Sequence, residues 1–354
     1  MMLQPFYRFI VLSICMSKPS DDGNTCLFRP NKKKVTPMTR FQGQVSTTSL
    51  LATLLAFTCI QGASAQPDAE RDRQPDNIGT GPYPAMKEEV SSLADHVIYR
   101  PQQLAAMGNQ KLGLVAFGNG GCSTDGASTR FHLLELASHG YLVIANGRIY
   151  SGPGAHEPEA VPEGQYPRST FAEDLTAAID WALHENARES SPYYNRIDGD
   201  QIALSGYSCG GLEAIQMGGD PRVDTLVLHN TGVATDTSGA PPQAALAAIS
   251  TTKDQLNDFH TPVLYILGGE TDMAYSNGMD DYTRINHVPV AVANLPVGHS
   301  GTRFEENGGE AAQVAVNWLN WQLRRDQEAA KWFVGDNCIL CTDEQWTLEI
   351  KNFD

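Results

Sequence analysis

Short, mainly apolar runs alternate with amphipathic stretches along most of the chain. Runs of four to six residues that lack strict polar alternation are typical of strands buried on both faces of a parallel sheet. Such runs occupy 96–100, 112–117, 141–145, 201–205, 225–228, 263–267 and 290–293. Apolar residues recur every three or four positions, as in helices that cover a sheet, at 131–137, 171–182, 212–217 and 312–323. This alternation predicts an α/β fold with a mostly parallel central sheet and helices on both faces.

One apolar run near the N-terminus has a different context. The run at 50–60 follows basic residues at 32–34 and Arg40, and it precedes an Ala-x-Ala motif that ends at Ala65. This order is typical of a secretory signal cleaved after Ala65, and the run is too short to cross a bilayer comfortably. A retained signal anchor is the alternative interpretation. Met38 lies just ahead of the run and is a candidate initiator, which would make everything before it an upstream extension.

Composition divides the chain into three predicted segments. Residues 1–65 are an N-terminal extension and signal peptide, and 66–90 are rich in proline, glycine and charge, which predicts a flexible lead-in. Residues 91–354 contain the strand and helix patterns, with no internal repeat and no second apolar core, which predicts a single domain. The stretch 241–259 has no assigned role and is either a helix or part of a small lid.

The charge balance excludes two classes of partner. The full chain has a formal net charge of −16, and removal of the predicted signal segment would leave 18 basic against 39 acidic residues. Such a surface repels nucleic acid and anionic membranes, so we expect no nucleic-acid partner and no stable membrane insertion. The predicted signal segment indicates that the protein is secreted. The sequence indicates no particular oligomeric state.

Four cysteines remain after the predicted cleavage: Cys122, Cys209, Cys338 and Cys341. An even number in an exported chain predicts disulfides, and three pairings are possible. The last two are separated by only two residues, as in redox pairs and metal sites. No second Cys/His pair stands at metal-ligand spacing and no thioredoxin-like strand precedes them, so a structural bridge is favoured. The pairing stays open.

The strongest chemical motif is Gly-x-Ser-x-Gly at 206–210, centred on Ser208. A predicted strand precedes it and a predicted helix follows it, which is the context in which this pattern marks a nucleophilic serine. The turn at the serine must be sharp, and Gly206 and Gly210 supply the small residues that it needs. The alternative is a glycine-rich strand-to-helix turn without chemistry.

An acid is expected at the end of a later strand. Asp272 and Glu270 both follow the predicted strand at 263–267. Asp272 is favoured because the preceding double glycine turns the chain back towards the sheet edge. Asp280 and Asp281 fall in the following helical stretch and are expected to face solvent.

His299 is the histidine placed to activate the serine. It lies in a glycine-flanked loop after the last predicted strand, and it completes the chain order Ser208, Asp272, His299. A serine hydroxyl is a poor nucleophile until a base removes its proton, and an imidazole oriented by a carboxylate is such a base. A lone histidine is more often structural, which is the alternative here. The chemistry needs no cofactor and no metal ion.

Main-chain donors for a developing oxyanion are expected from two places. One is the N–H of Cys209, the residue after the serine. The other is the glycine-rich loop that follows the strand at 112–117, where Asn119 is the favoured donor and Gly120 the next. An ordinary β-to-α turn is the alternative for this loop.

Together these segments resemble the α/β-hydrolase superfamily, and within it the secreted carboxylesterases of the dienelactone-hydrolase-like and polyester-hydrolase (cutinase-like) group. The resemblance is carried by Gly118-Asn119, the segment 136–144, the elbow 206–211, Asp272, Gly298-His299-Ser300 and the closing segment 318–323. It implies an α/β-hydrolase catalytic domain over 91–354 that acts as a serine carboxylic-ester hydrolase through an acyl-enzyme.

The resemblance also implies a role for individual positions. Ser208 is the nucleophile, Asp272 the acid and His299 the base, with Asn119 and Cys209 as oxyanion amides. Substrate-contacting positions are Tyr207, Met273 and Gly120.

Two positions depart from the pattern of this group. Its polyester hydrolases have an aromatic residue in place of Asn119 and methionine in place of Cys209, so aromatic polyesters are disfavoured as substrates. A dienelactone hydrolase has a cysteine nucleophile, where this chain has Ser208. Alternative functions are an acyltransferase or lipase on the same scaffold, or a catalytically inactive binding module.

Overall fold

The computed structural model of the chain describes residues 68–157, 168–235 and 250–353. The predicted signal peptide, the candidate initiator Met38 and the stretch 241–249 lie outside the described residues. The end of the unassigned stretch is described, and it contains a 3₁₀ helix at Lys253–Asp258.

The described part of the chain contains one nine-stranded sheet with the order β1-β2-β4-β3-β5-β6-β7-β8-β9. The strands are β1 (Ala85–Val90), β2 (Leu93–Pro101), β3 (Leu112–Gly118), β4 (Tyr141–Asn146), β5 (Ile197–Tyr207), β6 (Thr225–His229), β7 (Val263–Leu267), β8 (Val290–Asn294) and β9 (Thr347–Lys351). Strands β3 to β8 run parallel, and antiparallel pairings occur only towards the two edges, at β1/β2, β2/β4 and β8/β9. The prediction of a mostly parallel sheet is confirmed.

Helices pack on both faces of this sheet, as predicted. The helices are α1 (Asp68–Arg71), α2 (Arg130–Ser138), α3 (Ala172–Ala187), α4 (Cys209–Gln216), α5 (Tyr275–Arg284), α6 (Gly309–Arg324), α7 (Gln327–Ala330) and α8 (Ile339–Thr342). Successive residues of β3 separate two apolar clusters: Leu114 clusters with Leu175 and Ile215, and Val115 clusters with Trp318. Helices α3 and α4 therefore cover one face, and α2 and α6 cover the other. No helix among the described residues has the length and apolar character to cross a membrane.

The sheet begins earlier than the sequence predicts. The composition of residues 85–90 places them in the flexible lead-in, and that prediction is wrong, because they form β1 and pair with β2. Charged residues at 87–89 interrupt the apolar residues of this strand: Lys87 pairs with Asp76, and Glu88 pairs with Arg100. An edge strand has one neighbour and is partly exposed, so it needs no apolar run to be stable.

Two other strand boundaries differ from the sequence pattern. Strand β9 was not predicted, because its residues are mostly exposed on the opposite edge of the sheet, where it pairs with β8. Strand β5 begins at Ile197, whereas the polar residues 198–200 are typical of a turn. The pairing of β3 with β5 shifts register between Leu112 and Leu114, which accommodates this polar beginning of the strand.

Candidate active site

Ser208 lies at a sharp turn between β5 and α4. Its backbone has φ 52° and ψ −115°, a left-handed conformation that non-glycine residues rarely adopt. A Cβ atom on Gly206 would lie 2.2 Å from the carbonyl oxygen of Gly210, and one on Gly210 would lie 1.9 Å from the carbonyl carbon of Gly118. Only glycine fits at these two positions, since strand and helix approach so closely there. The local sequence therefore enforces the turn that raises the serine above the end of the sheet.

His299 contacts both Ser208 and Asp272. Its Nε2 lies 2.9 Å from Ser208 Oγ, and its Nδ1 lies 2.6 Å from Asp272 Oδ1. The aspartate follows β7 and the histidine follows β8, so the three residues come from separate strands that end at the same edge of the sheet. Each distance is within the range of a hydrogen bond. The structure thus brings together the three residues that the chain order singled out.

Several groups besides the histidine stabilise the carboxylate of Asp272. Its Oδ1 accepts a hydrogen bond from the N–H of Ala274 at 2.9 Å, and its Oδ2 accepts from Asn230 Nδ2 at 2.8 Å and from the N–H of Gly268 at 3.1 Å. Burial by itself would raise the pKa of Asp272, but the hydrogen bonds from His299, Ala274 and Asn230 outweigh burial, and the pKa lies below its usual range. Asp272 is therefore ionised at neutral pH beside the imidazole.

This arrangement allows His299 to take the hydroxyl proton of Ser208 while Asp272 stays ionised. With Asp272 accepting from Nδ1–H of His299, the neutral imidazole presents a free lone pair at Nε2 towards the hydroxyl of Ser208. The carboxylate also stabilises the imidazolium that forms when Nε2 takes the proton. The site can therefore generate a serine nucleophile.

A buried network behind Asp272 was not predicted from the sequence. Arg303 donates from Nη2 to Asn230 Oδ1, while Nδ2 of the same asparagine donates to Asp272. The guanidinium of Arg303 also lies against the ring of Tyr207, with Cζ 3.1 Å from the ring centroid. Burial lowers the pKa of Arg303 to about 10, which leaves it charged at neutral pH. The position of Asn230 could have indicated its role, because it directly follows β6 at the edge of the sheet where Ser208, Asp272 and His299 meet. Nothing in the sequence singles out Arg303.

The loop after β3 approaches the beginning of α4. The carbonyl of Asn119 accepts hydrogen bonds from the N–H of Gly210 at 2.9 Å and from the N–H of Cys122 at 3.2 Å. Its side-chain amide is fully buried and donates to the carbonyl oxygens of Ser123 and Asn146. The side chain is thus engaged away from Ser208, so any contact of Asn119 with a substrate would come from its main chain.

Cys209 is the first residue of α4, so its N–H has no partner within the helix. Its sulfur is bonded to Cys122, and a second disulfide joins Cys338 to Cys341. These bonds decide among the three pairings that the sequence left open. The sequence favoured a structural bridge at Cys338 and Cys341 over a redox pair or metal site, and these two cysteines pair with each other.

The predicted substrate-contacting positions differ in how exposed they are. The ring of Tyr207 lies 5.3 Å from that of His299 and is so close to Gly120 that a Cβ atom there would meet ring carbons at 2.3 Å. Met273 is 78% exposed, and Val297, just ahead of the histidine loop, is 48% exposed. Exposed apolar side chains therefore flank the loops that carry Asp272 and His299.

One expectation about acids is wrong. Asp281, predicted to face solvent, is fully buried and accepts hydrogen bonds from the N–H of Val233 and the hydroxyl of Tyr265. Burial raises its pKa to about 6 despite the ion pair with Lys253.

Within the described ranges, no group of three or more His, Cys, Asp or Glu side chains is arranged to hold a metal ion.

Comparison with known proteins gives one informative similarity. The chain is 29% identical over 177 residues to a cutinase of Thermobifida fusca (strain YX). The match covers 48% of this chain and spans about half, 52%, of the length of that cutinase. No protein-family model matches the chain.

Proposed function

We propose that this chain is a serine carboxylic-ester hydrolase with an α/β-hydrolase fold, acting through an acyl-enzyme. The observation that carries the proposal is the contact series from Ser208 Oγ to His299 Nε2 at 2.9 Å and from His299 Nδ1 to Asp272 Oδ1 at 2.6 Å. The mixed, mostly parallel sheet and the similarity to a cutinase both support it.

In the proposed reaction, Ser208 Oγ attacks the ester carbonyl carbon while His299 Nε2 takes the hydroxyl proton. The carbonyl oxygen becomes an oxyanion, which accepts hydrogen bonds from the N–H groups of Cys209 and Asn119. The tetrahedral intermediate collapses, the alcohol leaves with the proton from His299, and Ser208 is acylated. Water then attacks the acyl-enzyme with His299 again as base, and the free acid and the serine hydroxyl are restored.

Asp272 has two tasks in this scheme. It holds His299 in the tautomer whose Nε2 can accept a proton, and it stabilises the imidazolium between the two proton transfers. The lowered pKa of Asp272 supports this role, because the carboxylate stays ionised while the imidazole changes charge.

The proposed substrate is a small or polymeric ester bound beside Tyr207, Gly120 and Met273. The exposed side chain of Met273 would contact the apolar part of the ester. Export of the protein after cleavage near Ala65 belongs to the same proposal. Two disulfides support it, since such bonds persist mainly in oxidising compartments.

The test is the Ser208→Ala variant, assayed on p-nitrophenyl butyrate and labelled with a fluorophosphonate probe. We expect wild-type protein to hydrolyse the ester and to be labelled, and we expect turnover of the variant to fall by roughly 10⁴-fold or more, with labelling abolished. Ser205→Ala is the matched control, because Ser205 lies in β5 three residues before Ser208 and its hydroxyl donates to the carbonyl of Val227. This control should retain turnover.

Two other results would change the assignment. Unchanged turnover in a folded Ser208→Ala variant would reject the mechanism, and absence of labelling in wild-type protein would favour an inactive binding module. Transfer of the butyryl group to an added alcohol, in preference to release of butyric acid, would indicate an acyltransferase.

A further inference from the structure

The disulfide between Cys122 and Cys209 joins the two segments that supply the proposed oxyanion donors. The two residues are 87 positions apart in the chain, and their Cα atoms lie 5.2 Å apart. Cys209 directly follows Ser208 and carries one proposed donor on its own N–H. Cys122 ends the 3₁₀ turn that begins after Asn119, the residue that carries the other.

The backbone of the loop at Gly121 and Cys122 has a conformation that needs stabilising contacts from elsewhere in the fold. Cys122 has φ 48° and the preceding Gly121 has φ 65°, so two consecutive residues are left-handed. Left-handed non-glycine residues persist where surrounding contacts over-determine them. Here Cys122 is held by its N–H on the carbonyl of Asn119, by its own carbonyl on the N–H of Thr170 and by the disulfide.

The helix side of the bond is equally constrained. Ser208 is left-handed as well, and Cys209 begins α4 immediately after it. A main-chain hydrogen bond from Gly210 to Asn119 also links helix and loop. The disulfide adds a covalent attachment between helix and loop three residues further along the loop, so the two segments are joined at two points.

We propose that the Cys122–Cys209 disulfide is a positioning element of the oxyanion site, which holds the N–H groups of Asn119 and Cys209 at the separation that the tetrahedral oxyanion requires. The inference rests on the proposed esterase function. Because the bond acts on donors that matter most in the transition state, its loss should lower kcat and leave KM nearly unchanged.

The burial of the bond indicates a permanent link. Cys122 is 2% exposed and Cys209 is 3% exposed, so reductants in solution do not reach the sulfurs without opening the structure. In the other disulfide, Cys338 is buried but Cys341 is exposed. The exposed bond provides a control within the same chain.

The experiment compares two double variants of the full chain, Cys122→Ser/Cys209→Ser and Cys338→Ser/Cys341→Ser. In the first we expect kcat for p-nitrophenyl butyrate to fall by about 10- to 100-fold, less than the 10²–10³-fold typical of losing an oxyanion donor outright, with KM within about threefold. Binding of a trifluoromethyl ketone, whose adduct with Ser208 carries an oxyanion, should weaken by a similar factor. The second variant should keep kcat within about twofold.

Folding is separated from positioning by a second substitution and by temperature. Cys122→Ala/Cys209→Ala removes the same bond without introducing buried hydroxyls, and each variant is assayed well below its own midpoint of thermal unfolding. A fall in kcat that both variants share supports the proposal. If kcat below the midpoint matches wild type and only the midpoint falls, the bond merely stabilises the fold and the proposal is overturned.

The remaining outcomes are also decisive. A rise in KM at unchanged kcat would place the bond in substrate binding and would overturn the proposal. A wild-type protein that neither turns over the ester nor reacts with a fluorophosphonate would remove the proposed function and this inference together. Normal wild-type turnover with unaffected disulfide variants would remove this inference alone.

Discussion

Asn230 connects the charge of Asp272 to the buried cation Arg303. Its amide nitrogen donates to Asp272 Oδ2 at 2.8 Å, and its amide oxygen accepts from Arg303. Asn230 adopts φ 45°, which asparagine and aspartate tolerate better than most residues. Its identity therefore affects the proposed catalytic acid without any contact with the substrate.

Asn230→Asp is the residue-level test of this connection. Aspartate keeps the shape, the backbone conformation and the acceptor for Arg303, but it replaces the donor to Asp272 with a second carboxylate. Like charge in contact disfavours ionisation, so the pKa of Asp272 should rise. We expect kcat/KM at neutral pH to fall roughly tenfold or more, as for loss of a hydrogen bond to a charged group.

The pH profile of kcat/KM distinguishes this cause from a general loss of structure. Because a second carboxylate beside the Asp272–His299 pair favours the protonated states of the pair, the acid limb of the profile should move to higher pH in Asn230→Asp. Asn286→Asp is the control, since Asn286 lies on an exposed turn after α5 and gains the same charge. An unmoved acid limb in Asn230→Asp would contradict the role of Asn230.

At the scale of elements, the turn between β5 and α4 requires two backbones to touch. Gly210 packs against Gly118 at the end of β3, and its own carbonyl lies against Gly206. The loop after β3 and helix α4 are thus placed by direct main-chain contact. A side chain at this point would separate the proposed oxyanion donors.

Gly210→Ala should therefore be damaging. Its Cβ would lie 1.9 Å from the carbonyl carbon of Gly118, a contact that only backbone movement can relieve. We expect a loss of about 3 kcal/mol or more in the free energy of unfolding, measured by urea denaturation, together with a large fall in kcat. Gly199→Ala, near the beginning of β5, meets nothing closer than 3.6 Å and should be nearly neutral. Equal stability of the two variants would contradict the close-packing argument.

The sequence predicted those elements whose residues are buried on both sides. Strand β7 coincides with the predicted run at 263–267, because a central parallel strand is buried on both faces and its apolar run therefore begins and ends with the strand. Strands β1 and β9 were missed, because each lies at an edge of the sheet and interrupts its apolar residues with charged ones. Apolar patterning indicates burial, so it does not reveal an edge strand that is only partly buried.

The same distinction applies to the site. Ser208 and His299 stand in short glycine-flanked motifs and could be singled out, whereas Asn230 and Arg303 act through contacts between distant segments. Asp281 was expected in solvent because charge in a helix usually faces water, yet its partners, Lys253 and the N–H of Val233, come from other parts of the chain. Partners of this kind cannot be seen from local sequence.

For the molecule as a whole, one covalent link joins segments that are far apart in the chain. The Cys122–Cys209 bond closes a loop of 87 residues that includes β4, β5 and α3. A loop of this length corresponds to about 4–5 kcal/mol of stabilisation in the chain-entropy account, against much less for the short Cys338–Cys341 loop. The midpoint of thermal unfolding should accordingly fall far more in the first double variant than in the second.

One contribution to the dependence of folding on pH should come from Glu213, which is buried on α4. Its Oε1 accepts from the hydroxyl of Thr170 at 2.8 Å, and its Oε2 accepts from Asn146 Nδ2 at 3.2 Å. Burial raises the pKa of Glu213 to about 8, more than these hydrogen bonds lower it. The folded protein therefore keeps a proton on Glu213 that the unfolded chain has released above its ordinary pKa of 4.5.

Because folded Glu213 keeps its proton between pH 4.5 and 8 while the unfolded chain releases it, the contribution of Glu213 to the free energy of unfolding falls as pH rises through this window. The total loss attributable to Glu213 is on the order of 5 kcal/mol, since each pH unit between the two pKa values corresponds to about 1.4 kcal/mol.

Glutamine resembles the protonated form and does not titrate, so Glu213→Gln should remove this slope. We expect the stability difference, variant minus wild type, to grow from about pH 5 to about pH 8 in denaturant titrations at each pH. The exposed Glu189→Gln should leave the wild-type slope in place. Parallel curves for Glu213→Gln and wild type would mean that Glu213 is already ionised in the folded protein.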